Sequence, residues 1–167
     1  PINVYGESKL FGEQQVRAIL GDDALIVRTA WLYATEGENF VHTMLRLMRE
    51  RDEVQVIDDQ IGTPTEARGL ARAIWKSMCC GLSGIHHWTD AGVASWYDFA
   101  VAICEEAVSC GLLNKPGKVV PVPGAAYSTA AKRPAYSVLD KVSTWTALEK
   151  VSNHWRTSLR RVMPSLK

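Results

Sequence analysis

The sequence predicts a single α/β domain built on a mainly parallel sheet, with its later part laid across one end of that sheet as a cap. Three observations predict it. Helical and strand patterns alternate from the start of the chain to Trp88, the order that produces parallel strands joined by helices. The strand candidates are short apolar runs such as Ala24 to Thr29, of the kind buried on both faces in a parallel sheet. Beyond Val122 loop and helix replace strand.

Each element has a local reason. Tyr5 to Leu20 reads as a helix of good formers, with Glu13 four residues before Arg17 and Gly21 to close it. After the Ala24–Thr29 strand, Asn39 caps a helix whose Phe40, Met44, Leu47 and Met48 recur at helical spacing. Val54, Val56 and Ile57 form a strand that ends at Asp58, and Gln60 to Thr65 is a loop by its Gly and Pro. Thr65 is the expected cap of a helix carrying Leu70, Ala71, Ile74, Trp75 and Met78 on one stripe. Gly84 to Trp88 is a strand, and Ser95 with Asp98 three residues on starts a helix whose Phe99, Ile103 and Ala107 face inward. Val119 to Val122 is extended, Ala125 to Asp140 is mostly loop, and one last helical region runs from Ser143 to Met163, burying Trp145, Leu148, Trp155, Leu159 and Val162.

Composition narrows the class. With 167 residues, 47% hydrophobic and 22% charged, the chain has the make-up of one globular domain with a sizeable core. A net charge of +1 from 19 basic and 18 acidic residues gives no general field to draw in nucleic acid or membrane. No apolar run approaches the roughly 18 to 20 residues of a membrane span. Cys79, Cys80, Cys104 and Cys110 lack the spacing of a zinc ribbon and the density of a disulfide scaffold. A soluble, cytoplasmic protein is expected.

The chemistry-bearing candidates are few. Tyr5 and Lys9 stand four residues apart at the head of a helix, a spacing that puts both on one face. An ammonium beside a phenol favours the phenolate, and such a phenol trades a proton with a carbonyl or alcohol near neutral pH; by spacing alone the same pair also fits an ordinary helix surface. His86-His87 has no third ligand at useful spacing, so no metal site is expected. Asp58-Asp59 sits before a Gly-Pro loop, which favours turn hydrogen bonding over catalysis. Gly81-Leu82-Ser83-Gly84 follows a helix and reads as a turn. Arg156, Arg160, Arg161 and Lys167 suit the end of a helix and its dipole.

Asn3-Val4-Tyr5-Gly6-Glu7-Ser8-Lys9-Leu10-Phe11-Gly12-Glu13 resembles the active-site helix of extended short-chain dehydrogenases. Five further blocks, Arg28 to Tyr33, Asn39-Phe40 with Thr43 to Leu45, Asp58 to Thr65, Ser95 to Ala100 and Lys132 to Asp140, resemble in the same order the signature of the dTDP-4-dehydrorhamnose reductase family. The resemblance spans nearly the whole chain. It implies a partial Rossmann-like parallel sheet, the second half of a doubly wound fold, with a small C-terminal α+β substrate-binding cap. It also implies that Tyr5 supplies the proton to the C4 carbonyl of a dTDP-sugar as NADPH delivers hydride, and that Lys9 holds the nicotinamide ribose and tunes Tyr5. By the same resemblance Trp31 lines the sugar pocket and Arg133 approaches the diphosphate, where a guanidinium pairs bidentately. Lys132, Asn39 and Thr65 are pocket neighbours by this reading, and each serves equally as a cap or a solvated side chain.

The family opens with a strand, a Gly-rich turn and a helix N-terminus that receive the cofactor pyrophosphate, and this sequence contains no such fingerprint. Residues 1–167 are therefore expected to form one domain, the catalytic-helix and substrate-binding portion, with the dinucleotide-binding half absent and no tight NADPH binding by the chain alone. Three functional readings follow: a nucleotide-sugar-binding portion inactive by itself, a reductase completed by a separate nucleotide-binding chain, and a ligand-free protein that associates with itself. An uncovered sheet edge and apolar face make a two-fold dimer the expected assembly.

Overall fold

In the computed structural model, which describes residues 1–126 and 133–166, helix α1 spans Val4–Leu20 and strand β1 spans Leu25–Arg28. The Asn3 side chain caps α1 by accepting from the Gly6 amide, and Gly21 ends it at positive φ. The next elements are β2 (Leu32–Tyr33), α2 (Phe40–Glu50), β3 (Glu53–Ile57), β4 (Ile61–Gly62) and β5 (Thr65–Glu66). Helix α3 (Ala67–Cys79), β6 (Gly84–His87), β7 (Ala94–Ser95), α4 (Trp96–Ser109), β8 (Lys118–Val122), α5 (Val142–Ala147) and α6 (Trp155–Val162) complete the chain.

Three strand pairs are parallel, β1 with β6, β2 with β5 and β3 with β8, and β4 with β7 is antiparallel. The α/β class with parallel pairing is as the alternation predicts. The expectation that β1 is buried on both faces is corrected: Leu25, Ile26 and Val27 are half-buried and Arg28 is exposed. The physical reason is local, since β1 pairs only with β6 among the described residues and α1 buries no residue.

The main core lies between α2, α4, α6 and β3. Val41, Met48, Phe99, Ile103 and Leu159 are almost completely buried there, each contributing roughly 1.5–3 kcal/mol over exposure. The expected capping box of α4 is present: the Ser95 hydroxyl accepts from the Asp98 amide and the Asp98 carboxylate accepts from the Ser95 amide. That cap fixes where α4 begins and so where Trp96 projects.

A smaller cluster gathers Leu70, Ala73, Trp88 and Leu148. It corrects the stripe expected on α3, because the buried row is Leu70, Ala73 and Ser77 while Trp75 and Met78 are exposed. Trp88 and Leu148 bring the bulk from outside, so the helix contributes small side chains to the contact. The cap of α3 is also corrected: Glu66, not Thr65, accepts from the Arg68 and Gly69 amides.

The single helix expected over 143–163 is two. Glu149 turns at positive φ, and the backbone around His154 is taken by Ala91, whose amide donates to the Asn153 carbonyl and whose carbonyl accepts from the Trp155 amide. A helix cannot use those groups twice.

Candidate functional site

Helix α1 presents Tyr5 and Lys9 on one exposed face. The Lys9 ammonium stands 5.3 Å from the centroid of the Tyr5 ring, so the spacing read from the sequence does bring the two side chains together. Tyr5 is 69% exposed, and the Ser8 hydroxyl donates to its carbonyl. Because α1 buries nothing, its tie to the body is electrostatic: Arg28 Nε and Nη2 donate to the Glu13 carboxylate at 2.8 and 2.6 Å. The Arg28 hydrogen bond holds the Glu13 carboxyl below its ordinary range.

Trp31 belongs to a second group. It sits at φ 48 directly before β2, and its ring lies flat on Trp96, centroids 3.5 Å apart and 9° from parallel. Phe40 leans on the same Trp96 at 4.7 Å. Beneath Trp31 lies Gly62, where a Cβ would fall 2.4 Å from the indole; only glycine lets the ring settle on β4. The 133–140 segment docks on the same strand, with the Ile61 amide donating to the Ala135 carbonyl and the Ser137 amide to the Ile61 carbonyl. Exposed Arg133 is thus carried by a segment anchored next to the strand that supports Trp31. Among the described residues no ring contact or hydrogen bond joins Tyr5 or Lys9 to this group.

The remaining candidates have structural occupations. The Asn39 side chain accepts from the Val41 and His42 amides and donates to the Ala34 and Gly37 carbonyls, so its amide is spent on the α2 cap and the loop before it. Thr65 is fully buried, its amide donating to the Trp31 carbonyl and its hydroxyl to that of Thr63. Lys132 lies outside the described residues. His86 and His87 engage the Ser83 and Asp140 carbonyls, and Asp59 accepts from the distant Gly124 amide, a long-range contact in place of the local turn bond expected from the sequence. Gly81 and Gly84 both adopt positive φ in the turn that ends α3.

Sequence reasoning did not single out Gly62 or Trp96 by role, although both lie inside the quoted blocks. It missed Asp90 entirely. This residue is 3% exposed, and burial pushes its carboxyl up to about 6, against opposing hydrogen bonds from the Ser158 hydroxyl and the Glu66 backbone. Burial also raises the Tyr33 phenol, with Asp90 and Glu66 adding to the effect. No sequence period marks such a group, because its burial comes from three separate elements.

A mixed α/β chain with short parallel pairs is a Rossmann-like arrangement, and its superposition on a solved enzyme supports that class. The structure of dTDP-4-dehydrorhamnose reductase from Bacillus anthracis in complex with NADP matches with a TM-score of 0.87 and 39% identity, covering 97% of this chain and 55% of that one. The family model described as RmlD substrate binding domain matches residues 1–167, and the chain belongs to that family, the substrate-binding domain of dTDP-4-dehydrorhamnose reductases. A dTDP-4-keto-6-deoxy-D-glucose reductase of Streptomyces niveus is 42% identical over 99% of this chain and 56% of its own length. The dTDP-4-dehydrorhamnose reductase of Escherichia coli K12 is 38% identical over 99% and 57%. The chain therefore spans somewhat more than half the length of these relatives.

Proposed function

We propose that this chain is the dTDP-sugar-binding and proton-donating portion of a dTDP-4-dehydrorhamnose reductase. The observation that carries the reading is the Lys9 ammonium over the Tyr5 ring on a helix whose outer face is open. Half-buried Trp31, held by Trp96 and Gly62, offers the part of its indole that they leave exposed as an apolar contact for the sugar ring, and Arg133 a guanidinium for the diphosphate. In this reading Tyr5 gives its proton to the oxygen at C4 while Lys9 steadies the phenolate left behind.

The residues present fit part of an NADPH site. Lys9 has no carboxylate partner among the described residues and its ammonium is free to reach ribose hydroxyls. The sequence holds no Gly-rich turn between strand and helix for the pyrophosphate, so this chain's share is the nicotinamide end. NADPH, when bound, supplies the hydride.

The test has two arms. Calorimetry of the chain with dTDP-L-rhamnose should show binding at millimolar affinity or tighter, about −4 kcal/mol, weakened in Trp31→Ala and Arg133→Ala. Mixing the chain with the separately produced nucleotide-binding half of the Escherichia coli relative, NADPH and the 4-keto sugar nucleotide should start cofactor oxidation. Tyr5→Phe should lower that rate by roughly 100-fold or more. No heat with the sugar nucleotide and no oxidation after complementation would leave only a ligand-free, self-associating protein.

A further inference from the structure

Four arginines on this protein are ion-paired with acids among the described residues. Arg156 and Arg160 lie on α6 against Glu105 and Glu106, and Arg160 grips Glu106 through two of its nitrogens. Arg28 and Arg46 are likewise paired with Glu13 and Glu50. Arg161 sits next to Arg160 in sequence yet points away from those acids, into a depression of about 220 Å³ between α3 and α6. There it meets Arg68 and Arg72, which are four residues apart and so share one face of α3. None of the three guanidiniums has a hydrogen bond or an ion pair among the described residues.

All three arginines are solvent-exposed, so their charge is open to an incoming anion. The single carboxylate lining this hollow is Glu66, whose two oxygens already accept from the Arg68 and Gly69 amides. It caps α3 and makes no pair with the arginines. Ser158, only 5% exposed and hydrogen-bonded through its side chain to Asp90, lines the hollow together with Thr35. A narrower recess of about 70 Å³ shares Glu66, Arg72, Ser158 and Arg161, adds the buried Asp90 carboxyl, and extends the basic lining to Lys76 and Lys150.

We infer that the hollow between α3 and α6 is an oxyanion site, taking a phosphoryl group through Arg68, Arg72 and Arg161. Guanidinium forks from two facing helices suit the several oxygens of a phosphate better than a single carboxylate. The site is separate from the group proposed to hold the sugar nucleotide, since its lining includes none of Tyr5, Lys9, Trp31, Asn39 or Arg133. Its segregation from the paired arginines on the other side of α6 gives a built-in control.

Titration of the full chain with inorganic phosphate and pyrophosphate, followed by calorimetry at low and high salt, decides it. Saturable binding is expected, weakening as salt rises. Arg72→Gln and Arg161→Gln should each weaken pyrophosphate tenfold or more, while Arg156→Gln leaves it unchanged; circular dichroism confirms that the three variants fold alike. A dTDP arm tells the source apart: if the same two variants weaken dTDP equally, the phosphoryl group is a nucleotide's, and if dTDP is unaffected the ligand is a free oxyanion. Absence of saturable pyrophosphate binding, or equal binding by all variants, overturns the inference.

Discussion

The indole of Trp31 rests on that of Trp96 with centroids 3.5 Å apart, and the bare backbone of Gly62 lies against the same ring. Two stacked indoles at this distance couple their near-ultraviolet transitions. Trp31→Ala or Trp96→Ala should therefore abolish the same feature of the circular dichroism spectrum.

Gly62→Ala should cost about 1–3 kcal/mol as an overpacking change, since a new methyl would have to displace either the ring or β4. Denaturant midpoints measure the loss. The variant should also lose the Trp31 and Trp96 coupling, which an unrelated destabilisation elsewhere would leave in place.

Helix α1 should be the first element to open. It buries no residue and is tied down by the exposed Glu13–Arg28 pair, a contact of about 0.2–1 kcal/mol. Hydrogen exchange should show α1 amides far less protected than those of α4. Arg28→Gln should speed α1 exchange further while shifting the global unfolding midpoint little.

Asp90 sets a pH dependence. Its folded value of about 6 lies above the ordinary 3.8, so between roughly pH 4 and 6 the native state keeps a proton that the unfolded chain releases. Stability from this group is fully present below the unfolded value and is lost as pH rises through about 6, by on the order of 2–3 kcal/mol. The groups around it are Glu66, Tyr33, Lys141 and Arg161. Asp90→Asn should be more stable than the wild type at pH 7, with the difference shrinking as pH falls toward 4. A difference independent of pH would refute this assignment.

Val4 and Phe11, seven residues apart on α1, are 79% and 61% exposed, with Ile19 at 80%. Such apolar surface favours association. Light scattering should show a mass that grows with concentration, and Phe11→Glu should reduce it. In a mixture with the nucleotide-binding half of a relative, the same variant should weaken the heterologous complex.

Much of the local structure was legible in the residues. The caps at Asn39 and Ser95 and the stop at Gly21 act over three or four positions, so the local sequence exposes them; the Asn3 cap of α1 was not read from it. The pairing of Tyr5 with Lys9 is legible for the same reason. The face of α3 was not, because Trp75 looks like core until Trp88 and Leu148 are seen to occupy that space. Nor was the break before His154, which depends on the distant backbone of Ala91.

The order of the main helices and strands, the starts of α2 and α4, the stop of α1 at Gly21 and the Tyr5–Lys9 face were determined by the sequence itself, since each rests on contacts between near neighbours in the chain. Tertiary structure alone decided that Trp31 lies between Trp96 and Gly62, that Asp90 is buried, and that Arg161 joins Arg68 and Arg72 instead of the acids beside Arg160. These relationships join residues far apart along the chain, and their energies depend on burial and close approach, which no local pattern encodes.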